Sequence, residues 1–138
     1  MAYDDTVRLL WSLQASGIGT TISGNGNSGA WSSANPSQES AIEFRWADDL
    51  ALFVFVASIT STPTLKAQID VYDDLGNLFP SVAATANITA AGAAAPVYIG
   101  RHGGATAATF VVLPSWGRVS WTCSGGSCVG TEIALYAR

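Results

Sequence analysis

The sequence predicts an all-β fold, an antiparallel β-sandwich or jelly roll of about eight strands. Three observations predict it. Runs rich in β-branched and aromatic residues recur along the chain with turn residues between them. Alternation of period two marks residues 41–47 and 64–72. The C-terminal stretch, FVVLPSWGRVSWTCSGGSCVGTEIALYAR, reads as two strands around a Gly-Gly tip. At 138 residues the chain makes one domain, residues 1–138, able to bury about two-thirds of its unfolded surface.

Each element follows from its residues. Residues 7–13 are mixed but strand-like, and residues 24–29, Gly-Asn-Gly-Asn-Ser-Gly, form a turn or loop by composition. In residues 41–47, Ile42, Phe44 and Trp46 share one side, which places Trp46 in the core, and Asp48-Asp49 turns the chain. Residues 50–60 read as a central strand covered on both faces. In residues 64–72, Leu65, Ala67, Ile69 and Val71 point inward, while Lys66, Gln68, Asp70 and Tyr72 point out. Residues 73–77 form a turn, and 78–82 return as a short strand interrupted by Pro80. The alanines of residues 83–95 favour helix, but no amphipathic stripe survives Thr85, Asn87, Thr89 and Gly92, so strand plus loop is expected. Residues 97–99 and 107–113 complete the set before the C-terminal hairpin.

That hairpin has arms at residues 118–123 and 129–136. If Gly125-Gly126 is a two-residue turn, Cys123 lies opposite Cys128, within disulfide range. The same register sets Val119 and Trp121 against Gly130 and Glu132, with Ile133 and Leu135 on the other face. A bulge near residues 127–130, or a sheet covered on both faces, is expected to resolve this. Cys123 and Cys128 stay open between a disulfide and free thiols, since a ring this small adds little stability.

Composition narrows the function. Hydrophobic residues make up 49% of the chain and charged ones only 12%, about half the usual share. Either neighbours in an assembly cover part of the surface, or small polar residues solvate it. Net charge is −4 with six Lys and Arg in total and no basic cluster, which argues against binding nucleic acid. The N-terminal residues lack a signal-peptide pattern, and the longest apolar run has eight residues, so neither secretion nor a membrane span is expected.

Reaction chemistry is not expected, and neither is a cofactor or a metal. The lone His102 sits in Arg-His-Gly-Gly with no nucleophile elbow elsewhere, and reads as a surface loop residue. Cys123 and Cys128 do not have zinc-site spacing. Asp70, Asp73, Asp74 and Asn77 could gather a calcium ion but lack the alternating Asp-x-Asp order, so turn residues are expected. Trp46 and Trp121 are in phase with apolar neighbours and are expected in the core. Trp11, Trp31 and Trp116 lie at strand ends or loops, where they could plug the fold, anchor an interface or stack on sugars.

Several stretches together resemble a group of small β-sandwich proteins found in tailed-bacteriophage virions. They are Ser-Gly-Asn-Gly-Asn-Ser-Gly at 23–29, the apolar strand at 50–60 followed by Ser-Thr-Pro-Thr-Leu at 61–65, Asp-Asp-Leu-Gly-Asn at 73–77, and Leu-Pro-Ser-Trp-Gly-Arg at 113–118 with its closing strand. The two cysteines and the His-Gly-Gly loop fall outside that pattern. The resemblance implies a structural virion protein, foremost a decoration (cement) protein that bridges capsid subunits. It would be made in the bacterial cytoplasm and sit on the capsid surface. Its partners would be the major capsid protein and further copies of itself, with a trimer favoured. Alternatives are a minor tail or tail-surface protein, and a carbohydrate-binding module using Trp31 and Trp116. Candidate interface residues are Trp31, Trp116, Arg101, His102 and, on an N-terminal arm at residues 1–6, Tyr3, Asp4 and Asp5.

Overall fold

The computed structural model describes residues 7–18, 22–25, 42–44, 46–100 and 114–138, with side chains at all of these but 13–18 and 22–25. They are all-β. The strands are β1 (Arg8–Ile18), β2 (Ile22–Asn25), β3 (Ile42–Glu43), β4 (Asp49–Tyr72), β5 (Leu78–Ala84), β6 (Gly92–Ala93), β7 (Val97–Gly100) and β8 (Trp116–Ala137). Every pairing between them is antiparallel.

Two long strands, β4 and β8, form the spine. They pair along their whole length, from Leu50↔Ala137 to Tyr72↔Trp116. The outer edge of β8 carries β1, β2 and β3, and the outer edge of β4 carries β7, β6 and β5. The sheet curls, because buried residues of both its ends meet in one core: Leu52, Val56, Ile133 and Leu135 from one end, Leu65, Ile69 and Val119 from the other.

Curling comes from a corner built into both spine strands at matching positions. Between the pairs Ser61↔Gly126 and Thr64↔Ser124, two residues of β4 stand opposite one of β8, a β-bulge. Pro63 is buried there, where its missing N–H costs no ladder bond. Ser61 has φ 58° and Gly125 φ 78°. A side chain at Gly126 would collide with the Thr60 carbonyl, so only glycine lets the strands cross this closely. The bulge switches which residues face inward. Along β4 the buried set is Leu50, Leu52, Val54 and Val56 before the corner, and Leu65, Ala67, Ile69 and Val71 after it. In β8 a second kink at Gly130, with φ 61°, restores the odd-numbered set of Thr131, Ile133 and Leu135. The buried Thr131 hydroxyl closes this kink by donating to the Cys128 carbonyl at 3.1 Å.

Several expectations hold. The 73–77 turn forms around Asp73, whose Oδ1 accepts from the Leu75 and Asn77 amides at 2.9 and 2.8 Å. Residues 83–95 are strand plus loop, and 97–100 are a strand. Residues 107–113 lie outside the described residues.

Others are corrected. Residues 118–136 are not a hairpin: Gly125-Gly126 bends one continuous strand, and both arms pair with β4 instead of each other. In register Cys123 and Cys128 therefore stand opposite Leu65 and Ile59 of β4, and are not a cross-strand pair of a hairpin. Residues 50–60 and 64–72 are likewise one strand. Trp46 is exposed, because Phe44 takes the core position and the chain turns after it, with the Ala47 amide bonded to the Phe44 carbonyl. The Arg8 guanidinium lies 5.1 Å over the Trp46 ring. Asp70 and Tyr72 are buried, not outward. Finally, residues 50–60 are covered on one face only.

Candidate functional site

The uncovered face is the candidate site. Directly paired residues of a sheet point the same way, so the register lays out the face in rows. One row runs Leu9, Tyr136, Ala51, Tyr98 across β1, β8, β4 and β7. The next is Ser12, Ala134, Phe53. The third is Glu132, Phe55, Ala93 on β8, β4 and β6. Large apolar side chains alternate with alanine and serine, and the face forms a groove of about 940 Å³.

Leu9 is 53% exposed, Phe53 39%, Phe55 44% and Tyr98 48%. Phe53 is the hub. Its ring meets Tyr136 at 5.5 Å and 88°, and Tyr98 at 6.4 Å and 89°, both edge to face. Such contacts hold the rings in fixed poses. Among the described residues, charge is confined to the ends of the face. Glu132 lies in the third row. Beyond the first row Arg138 bonds Asp49 at 3.0 Å, while the Asp48 and Asp49 amides donate to the Arg138 carbonyl.

A second polar feature lies at the other end of the spine. Asp70 is fully buried and its carboxylate accepts four bonds. Oδ1 takes Gln68 Nε2 at 2.7 Å and the Ser81 amide at 2.8 Å. Oδ2 takes Arg118 Nε at 2.7 Å and Ser120 Oγ at 2.8 Å. Ser81 has φ 56° beside the irregularity in the β4–β5 ladder, which turns its amide toward Asp70. Burial pushes the nearby Tyr72 phenol up to about 12, with the Arg118 guanidinium opposing that shift. The carboxylate has no lone pair left for a ligand, so this is a structural clasp.

The sequence-predicted residues fall elsewhere. Trp116 is half-buried at the start of β8, paired with Glu43 and Tyr72, at the far end of the spine from the aromatic face. Trp31, Arg101, His102, Tyr3, Asp4 and Asp5 lie outside the described residues. Cys123 and Cys128 are buried thiols on one strand, not joined in a disulfide. The Cys123 thiol donates to the Gly126 carbonyl at 3.7 Å. Burial, then the Cys123 thiol beside it, pushes Cys128 up to about 11. Trp121 packs against the core and stacks on Trp11 at 6.0 Å. Among the described residues, no three His, Cys, Asp or Glu side chains gather as a metal site.

Sequence reasoning missed Leu9, Phe53, Phe55, Tyr98 and Tyr136. The signal was present in the unbroken apolar run at 50–57, which implies cover on both faces. No protein-family model, curated protein or solved structure matches this chain.

Proposed function

We propose that this chain is a structural protein of a tailed-phage virion, acting as a decoration (cement) protein that bridges capsid subunits. The observation that carries the reading is the open aromatic face on a chain with only 12% charged residues. Contiguous apolar surface of this kind marks an interaction site, and a protein that works inside an assembly does not need the charge that keeps free monomers apart. The likeness of residues 23–29, 50–65, 73–77 and 113–118 to small virion proteins supplies the setting. Clamping would follow from burial of such faces against several neighbours, so that internal pressure on the shell must break many contacts at once.

Mixing the purified chain with empty expanded capsids tests this. Saturable binding at a fixed ratio to the major capsid protein, with density at icosahedrally repeated sites outside the shell, is the expected result. Absence from the head, with density on the tail, would replace the reading with a tail protein. Binding to neither, with glycan-dependent quenching of tryptophan fluorescence that Trp116→Ala removes, would replace it with a sugar binder.

A further inference from the structure

We propose that Cys123 and Cys128 are a redox pair that staples the corner of β8: a small-molecule disulfide of the glutathione class oxidises the two thiols to one intramolecular disulfide, and a reducing compartment returns them to thiols. The inference does not rest on the virion reading.

The corner brings the two sulfurs together. On a straight strand this spacing would hold the two Cα atoms about 16 Å apart. Instead the Cys128 thiol is hydrogen-bonded to Cys123, and the Cys123 thiol donates in turn to the Gly126 carbonyl at 3.7 Å. The bend between them is made at Gly125, with φ 78°, and at Gly126, where a side chain would meet the Thr60 carbonyl. Both cysteines are buried in the core. The ladder holds them there, with Cys123 opposite Ile22 and Leu65, and Cys128 opposite Ile18 and Ile59. A buried cysteine often serves only as a small apolar side chain. These two differ because each has the other as its sulfur neighbour, and they are the two cysteines of the chain. One intramolecular disulfide is therefore available, with no alternative pairing to compete.

The exchange takes two steps. One cysteine loses its proton, and its thiolate attacks a sulfur of the small disulfide. That forms a mixed disulfide and releases a small thiolate, which takes up a proton. The second cysteine then loses its proton and attacks the protein sulfur of the mixed disulfide, releasing the other small thiolate, which is protonated in turn. Two electrons and two protons pass from the pair to the reagent. Access gates the first step. Burial, then the neighbouring Cys123, raises Cys128 to about 11, so the exchange starts in molecules whose corner has opened. The fold drives the second step, because closing the corner sets the two sulfurs against each other. A glutathione adduct has no such outcome, since a close-packed core has no room for it. The ring that results encloses Gly125 and Gly126 and so holds the bend itself.

The test uses the full chain in buffers of oxidised and reduced glutathione. Three samples are compared: the native chain, the chain refolded in the same buffer, and the chain held unfolded in urea. Each is quenched with acid, alkylated with N-ethylmaleimide in denaturant and weighed intact by mass spectrometry. The expected product is a single chain two hydrogens lighter than the reduced one, with no maleimide attached. A bond that stabilises the fold is favoured by it in return. The folded chain should therefore reach half-oxidation at a value of oxidised over squared reduced glutathione about ten-fold lower than the unfolded chain. The refolded sample decides where the native chain reacts slowly, because access does not limit it. The urea midpoint should rise on oxidation and return when a dithiol reductant is added. Two maleimides on the refolded chain in every buffer, a persistent glutathione adduct, a disulfide between two chains, an unmoved urea midpoint, or half-oxidation at the same value folded and unfolded would overturn the proposal.

Discussion

Asp70 illustrates how one residue can tie the fold together. A buried charge is tolerated only when fully bonded, and its four donors come from Gln68 on β4, Ser81 on β5, and Arg118 and Ser120 on β8. Asp70→Ala is expected to cost about 3–5 kcal/mol, read as a lower urea midpoint. Replacing the pair together, Asp70→Leu with Arg118→Met, should recover part of that loss. Two other residues tie stability to pH. The Asn77 side chain, then the Asn77 amide, holds Asp73 below its ordinary 3.8. Its stabilisation is therefore present above that value and lost as pH falls through the lower folded one. Thermal melts from pH 5 to 2.5 should show Asp73→Ala converging on the wild type as the acid end is approached. Cys128 shifts the other way, from 9.0 to about 11. The stability linked to it is present below pH 9.0 and lost as pH rises through about 11. Cys128→Ala should melt with a flatter alkaline limb than the wild type, the remaining slope belonging to Tyr72, which burial raises from 10.0 to about 12; a limb unchanged from the wild type would show that Cys128 does not contribute.

At the scale of elements, the corner is the decisive device. A Gly-Gly between two alternating arms can close a hairpin or bend a long strand, since both need positive φ and close backbone approach. The choice is made by β4, which carries its own step at Ser61-Thr62-Pro63-Thr64 in register with Ser124-Gly125-Gly126. The sequence held a warning in the face conflict between Val119 and Ile133. In a hairpin these residues would point opposite ways, whereas on one twice-kinked strand both are fully buried. Gly126→Ala should destabilise by about 1–3 kcal/mol, because the new methyl meets the Thr60 carbonyl and not a yielding side chain. The check is chemical denaturation, and an unchanged midpoint would mean that the corner can open at no cost.

For the whole molecule, stability is concentrated in the β4–β8 ribbon. Every other described strand pairs with one of these two, so the short strands can detach without breaking it. Hydrogen exchange should therefore be slowest at residues 50–56 and 131–137, and faster by orders of magnitude at β3 and β6, which have two residues each. Equal protection in β6 would mean that the sheet opens as one unit. The same layout leaves the first-half face open, because the long strands curl toward the core and away from it.

The sequence by itself determined the all-β class, the 73–77 turn, the inward set Leu65, Ala67, Ile69 and Val71, and the absence of helix in residues 83–95. These follow from local alternation, turn chemistry and β propensity, which act over a few residues. Tertiary structure decided the rest. It joined two expected strands into β4, turned an expected hairpin into half of a spine, buried Asp70 among donors from three strands and left Phe53 and Phe55 open. Each of those outcomes depends on which distant residue lies opposite, and a pattern read along one strand carries no information about its partner.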